Sequence, residues 1–289
     1  MRKITIYPDR TNYVAGDTVT GTVEIMCDKD FDFNAMYISL EGREHTTVVK
    51  QVGKHTHVYK EEHFHLQERI DLMQPGTMQY GEIRVPFSFS IPENVPTSYD
   101  GERGEIEYTL NAKIEVSWAR DPKDEVLLCV RGSTGGVNPK LVTSSEMDDG
   151  VSVLDVEIEN TEICLGEPIR LKYRVDRDIN MRGVRVDFIA TEHVTAKGNK
   201  SKLHQILDSQ FTDEIELVRG SWMNVEILTH PEMPVSYEGP LITVIPAVKV
   251  VIDIALRFDK QVEIPIVVMH CKKSSVASSE EDSFGFSFE

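Results

Sequence analysis

An all-β chain made of two antiparallel β-sandwiches in series is the fold the sequence predicts, and three observations predict it. Apolar and polar residues alternate with a period of two over most of the chain, the mark of strands with one buried face. The clearest run sets Ile106, Tyr108, Leu110, Ala112, Ile114, Val116 and Trp118 against Glu105, Glu107, Thr109, Asn111, Lys113, Glu115 and Ser117. The chain is also written twice: Pro-Thr-Ser-Tyr-Asp-Gly at residues 96–101 returns as Pro-Val-Ser-Tyr-Glu-Gly at 234–239. In the same order, Gly16 and Asp17 return as Gly166 and Glu167, and Glu44 and His45 as Glu192 and His193. Ordered echoes with drifting separation indicate a duplicated domain whose loops have changed length. Finally, turn residues punctuate the whole chain, and no stretch keeps a helical period. The 289 residues suit two domains of roughly 100–150 residues each. Residues 1–135 are read as the first sandwich, 136–150 as a linker, 151–271 as the second sandwich and 272–289 as an acidic, phenylalanine-bearing tail.

Residues 18–25 place Val19, Gly21, Val23 and Ile25 on one face of a strand. Residues 28–34 are polar and turn-like, and Met36, Ile38 and Leu40 point inward from the next strand. From 43 to 72 the pattern is polar and histidine-rich with a break at Gly53 and Lys54, which predicts an exposed hairpin. Residues 83–91 form a further strand, with Pro86 demoting it to an edge or a bulge. In the repeated hexapeptide, proline fixes one backbone angle and glycine permits a sharp return, with Tyr99 as an anchor. The strand after it is long enough to bend, and Asp121 and Pro122 end it. In the second copy Ile169, Leu171, Tyr173 and Val175, then Val184, Val186 and Phe188, then Val248 to Phe258 in alternation, point inward.

The composition is that of a soluble globular protein, 40% hydrophobic and 27% charged. A net charge of −17 repels phosphate backbones and argues against a nucleic-acid partner. The chain opens on an alternating, turning stretch without the apolar core of a leader peptide, and no apolar run approaches the ~18 residues of a membrane span. Cys27, Cys129, Cys164 and Cys271 are widely spaced with no CxxC pair, so reduced thiols in a cytoplasmic protein are expected.

The most tempting chemistry is His55, His57, His63 and His65, which share one face of an extended strand. Each His-x-His pair could hold a divalent metal, but His57 and His63 would stand about 20 Å apart on a straight strand. A solvated strand face accounts for them equally well. His45 and His193 recur in the repeat, which suits a structural role. Ser133 and Thr134 lie among glycines, but no Lys followed by Ser or Thr completes a phosphate loop. No nucleophile elbow or His-Glu-x-x-His sequence occurs, so the chain is read as non-enzymatic and without a cofactor; the rival is a metal-binding or metal-dependent protein built on the histidine hairpin. Arg170, Lys172 and Arg174 form a basic island, with Arg177, Arg182 and Arg185 nearby, where the first copy has Thr20, Thr22 and Glu24. The island suits a phosphate, an acidic peptide or the neighbouring domain; neutralisation by Asp176, Asp178 and Asp187 is the alternative. Phe284, Phe286 and Phe288 would share one side of a strand if the tail docked on an open sheet edge. Ser278 and Ser279, beside Glu280, Glu281 and Asp282, are candidate phosphorylation sites.

Gly16 and Asp17 before a Thr/Val strand, then residues 96–101, then 104–118 with Ile106, Tyr108, Leu110, Lys113 and Trp118, resemble the amino-terminal domain of the arrestin superfamily. Through the repeat the likeness extends to the carboxy-terminal arrestin domain, over residues 1 to about 271. It implies immunoglobulin-like, arrestin-type sandwiches and an adaptor or scaffold that binds other proteins, membrane-associated or phosphorylated cargo among them. It also implies that basic residues on the first strand, here Arg2, Lys3 and Arg10, meet phosphates, and that the tail folds back and is released. A retromer-like cargo-sorting subunit is a second reading of the same resemblance. There is no Pro-Pro-x-Tyr motif and no clear clathrin-binding box.

Overall fold

The computed structural model describes residues 2–117, 120–132, 138, 140–175, 179–255 and 258–271. Alternation in the first half is realised as β1 (Arg2–Pro8), β2 (Asn12–Val14), β3 (Thr18–Cys27), β4 (Phe31–Phe33), β5 (Ala35–Val52), β6 (His55–Met73), β7 (Gly76–Met78), β8 (Gly81–Ser90), β9 (Tyr99–Asp100), β10 (Gly104–Glu115) and β11 (Lys123–Arg131). These make two layers, one sheet ordered β1-β3-β8 and the other β2-β11-β10-β5-β6 with β9 added on β10. Val19, Val23 and Ile25 from the first layer meet Ile38, Leu40, Ile106 and Leu110 from the second in one buried core. Pro86 lies on β8, the edge strand, where its missing N–H breaks no ladder on the outer side.

Three local expectations change. Residues 28–34 are not only a turn: Phe31 and Phe33 are buried on β4, which pairs with β7. The predicted hairpin turns at Gly53 as expected, yet its base is buried, with Val48, Glu44 and Thr46 almost wholly out of water. The long strand does not bulge against its neighbour: β10 stays in unbroken register with β5 over Gly104 to Glu115 and then stops. Asp121 ends it by accepting the Val116 N–H at 3.0 Å and pairing with Lys113 at 3.0 Å. Trp118 and Leu256 lie outside the described residues.

The second half runs β12 (Val142–Asp148), β13 (Val151–Ile158), β14 (Glu162–Cys164), β15 (Pro168–Val175), β16 (Met181–Ala196), β17 (Asn199–Asp213), a 3-10 turn Glu214–Glu216, β18 (Met223–Leu228), β19 (Tyr237–Glu238), β20 (Ile242–Ile254), β21 (Lys260–Pro265) and β22 (Val267–Met269). The segment read as a linker contains a strand, because β12, Val142–Asp148, pairs antiparallel with β13. One sheet is β12-β13-β15-β18 and the other β17-β16-β20, with β19 and β21 both on β20. The duplication reaches fine detail: as Asp121 does for Val116, Asp259 accepts the Ile254 N–H at 3.1 Å. Ile169, Leu171, Tyr173, Val184, Val186, Phe188, Val248, Val250 and Ile252 form the second core, as the alternation predicted.

The cysteines depart from expectation. Cys164, at the end of β14, is disulfide-bonded to Cys271, just past β22, with Cα atoms 5.6 Å apart. Strands β14 and β22 pair in parallel, which brings the two residues together across 107 positions of sequence. The other two are free thiols, Cys27 buried and Cys129 exposed.

Candidate functional site: the clasp between the domains

The repeated residues meet at one place, the junction of the two sandwiches. Glu44 sits on β5 with no exposed surface. Its Oε1 accepts the Leu241 and Ile242 N–H groups at 2.8 and 2.5 Å, and its Oε2 accepts the Tyr237 hydroxyl at 2.9 Å. Glu192, its echo on β16, does the reverse. Its Oε1 accepts the Tyr99 hydroxyl and the Gly104 N–H, both at 3.2 Å, and its Oε2 accepts the Arg103 N–H at 3.1 Å. Each domain lends a carboxylate to the tyrosine loop of the other, so one hydroxyl and two backbone N–H groups beside each loop are satisfied across the junction. Ala190, Val194, Ala196, Ile242 and Val244 of the second half also join the first core, and the Thr46 hydroxyl donates to Thr195 O at 2.7 Å.

The hexapeptide glycines have a reason other than the expected one. Neither Gly101 nor Gly239 is among the residues with positive φ. Instead the tyrosine two positions earlier lies over each. A Cβ on Gly101 would stand 2.5 Å from the Tyr99 ring and strike Glu192 Oε1, and one on Gly239 would strike both the Tyr237 ring and its hydroxyl. Gly101→Ala and Gly239→Ala are each expected to destabilise by about 1–3 kcal/mol through this overpacking, measurable by urea unfolding. Gly53→Ala, whose Cβ meets nothing within 4 Å but whose φ is +63, would separate backbone strain from crowding.

The two arms of the clasp differ electrostatically. Burial drives the Glu44 carboxyl upward, but bonds from His65, Leu241, Tyr237 and Ile242 outweigh it and hold the group below its usual range. His65 Nε2 lies 2.8 Å from Glu44 Oε2. At Glu192 burial prevails over the bonds from Tyr99, Arg103 and Gly104, aided by nearby Glu102, and the carboxyl titrates above its usual range. Its hydrogen bonds are longer and none comes from a histidine. Burial first, then the adjacent glutamate, pushes the hydroxyls of Tyr99 and Tyr237 far above the usual phenol range.

The predicted site residues scatter around this junction. On β6, His57 stacks beside Tyr59, and His63 and His65 meet edge to face at 4.9 Å. The unbroken register from Phe64 to His55 keeps the two His-x-His pairs apart. His63 and His65 instead face an interdomain cleft of about 440 Å³ that Tyr99 and Tyr237 also line. The basic island is matched cation by cation: Arg170 with Glu226, Lys172 with Glu157, Arg174 with Asp155, Arg182 with Asp253 and Arg185 with Asp187. Of the acids expected to answer these cations, Asp187 is among the partners, and Asp176 and Asp178 lie outside the described residues. Lys172 and Arg174 also lie over the Trp222 ring at 4.7 and 5.0 Å. Arg2 covers Phe31, Arg10 pairs with Asp17, and Lys3 is exposed. The Ile6 N–H on β1 is taken by the Asp124 carboxylate at 2.8 Å, which blunts that edge against an added strand. Arg177, Ser133, Thr134, Ser278, Ser279, Phe284, Phe286 and Phe288 lie outside the described residues.

Sequence reading found both glutamates as echoes but not their task, since an i-to-i pairing across domains has no local spacing. What the fold and the junction define is a pair of clasped β-sandwiches. Residues 4–132 match the family model described as "Arrestin (or S-antigen), N-terminal domain". The chain is similar to arrestin domain-containing protein 17 of Caenorhabditis elegans, 30% identical over 122 residues, covering 38% of this chain and 29% of that protein. It is also similar to arrestin domain-containing protein 1 of Mus musculus, 26% identical over 113 residues (39% of this chain, 25% of that one). Arrestin domain-containing protein A of Dictyostelium discoideum is 24% identical over 154 residues, 46% of this chain and 27% of that protein. The matches thus span less than a third of each relative's length. Residues 4–132, the first sandwich, are therefore an arrestin N-terminal domain.

Proposed function

We propose that this chain is a non-enzymatic, cytoplasmic arrestin-type adaptor, a two-domain body that binds partner proteins, membrane-associated or phosphorylated cargo among them. The family supports an adaptor role in general. The observation that carries the reading is the clasp. Glu44 and Glu192, buried, and Tyr99 and Tyr237, half-buried, are groups whose titration is displaced, as active-site residues often are, and all are engaged in fastening one sandwich to the other. The chemistry that would otherwise suggest catalysis serves to fix the relative placement of two surfaces. In a reducing cytoplasm Cys164 and Cys271 would stand as two thiols within bonding reach.

The test is capture from native lysate with the intact chain and with a Glu44→Ala, Glu192→Ala double variant, read by quantitative mass spectrometry. Saturable enrichment of the same proteins by the intact chain, reduced at least about tenfold (1.4 kcal/mol) in the unclasped variant, is expected. Equal enrichment by both, or none above background, would reject the adaptor reading.

A further inference from the structure

We propose that His45, Glu105 and Glu107 form a binding site for a single first-row divalent cation on the outer face of the first domain. One ligand atom from each lies within 4.8 Å of the others. His45 is on β5, directly opposite Glu105 on β10, and Glu107 follows two residues later on the same face, opposite Arg43. His45 Nε2 stands 3.3 Å from Glu105 Oε2. That is long for a charge-assisted hydrogen bond, and close to the ~3.3 Å between two ligands of a tetrahedral ion bound at 2.0–2.1 Å.

The other ring nitrogen lies on the opposite edge of the imidazole and would not bind the same ion. His45 Nδ1 is buried with no hydrogen-bond partner, and the nearest carboxylate atom, Glu107 Oε2, is 3.9 Å away. Glu107 would swing from the Nδ1 edge of the ring toward Nε2 to complete the set. Arg43 Nη2 is 3.2 Å from the same Glu107 oxygen and competes with a cation for it, while its Nη1 reaches Glu62 at 3.5 Å. Glu105 and Glu107 open onto a cleft of about 490 Å³ shared with Thr11, Asp100 and the exposed thiol of Cys129, which leaves room for water in the remaining coordination positions.

The duplication supplies the control. His193 occupies the matching position in the second domain, where Thr243 stands in place of Glu105, Ile245 in place of Glu107 and Lys202 in place of Glu62. The fold keeps the histidine in both copies and does without the carboxylates in one. Imidazole with two carboxylates suits zinc and its first-row neighbours better than calcium or magnesium.

The experiment is a titration of the untagged full chain with ZnCl2 alone, using isothermal calorimetry, alongside Glu105→Gln, His45→Gln and the hairpin control His57→Gln with His63→Gln. One equivalent bound by the parent, weakened at least about tenfold by either site variant and unchanged in the hairpin control, is the expected result. Thermal unfolding of each metal-free variant, equal to the parent within a few degrees, shows that it folds. No saturable binding by the parent, or binding that survives both site variants and is lost from the hairpin control, would overturn the assignment.

Discussion

Replacing Glu44 with alanine is expected to lower the stability of the intact chain by about 3–5 kcal/mol. The change removes the acceptor for two backbone N–H groups and one hydroxyl at the junction, and it strips His65 of its carboxylate partner. Urea unfolding should also change shape. The clasped parent should unfold as one coupled unit, and the variant should show two separated transitions, one per sandwich. Glu44→Gln is expected to cost about 1–2 kcal/mol, because its carbonyl still accepts from Leu241 and Ile242. A single transition with an unmoved midpoint in the alanine variant would mean that the junction is held by its apolar contacts alone.

The two glutamates also predict a signed response to pH. Glu44 titrates below its unfolded value, so its contribution is present above the ordinary glutamate range near 4.5 and is lost as pH falls through the depressed folded value. Glu192 titrates above its unfolded value, so its contribution is fully present below that range and is lost as pH rises through the elevated one. On acidification Glu192 takes up its proton first, with a gain, and Glu44 follows with a loss. Glu44→Gln should remove the later loss and Glu192→Gln the earlier gain.

Reduction of the Cys164–Cys271 bond is the second large effect expected. It closes a loop of 107 positions, and on the chain-entropy account a loop near 100 residues is worth about 4–5 kcal/mol. Calorimetry with and without dithiothreitol should show the single transition of the parent falling on reduction, and that of Cys271→Ser indifferent to the reductant. A thiol assay on denatured, unreduced protein should count two free groups, Cys27 and Cys129. Four free thiols, or a parent melt untouched by reductant, would contradict the bond.

How much of this was legible before the fold was known depends on the range of the interaction. Period-two alternation found the strands and most of the core, because burial on one face leaves its mark every second residue. Pro86 was rightly placed at an edge, and Asp121 at the end of β10, since both act through their own backbone neighbourhood. Phe31 and Phe33 were hidden by the acidic residues beside them. The longer interactions left nothing local to read. Glu105 looked like an ordinary wet position until β10 and β5 were paired and His45 stood opposite it. Cys164 and Cys271 have no informative spacing, because their approach is made by β14 and β22 running side by side. The basic island showed its cations, while the acids that answer them come mostly from neighbouring strands β13 and β18.

The reciprocity of Glu44 and Glu192 has an implication for descent. Each half of the chain carries both parts of the fastening, a glutamate on the long hairpin and a tyrosine loop to receive one. A single ancestral copy would have been self-complementary, able to satisfy every one of these bonds with an identical molecule across a two-fold axis. Fusion of two such genes would have turned an isologous dimer into one polypeptide, and divergence since then has freed each face to differ.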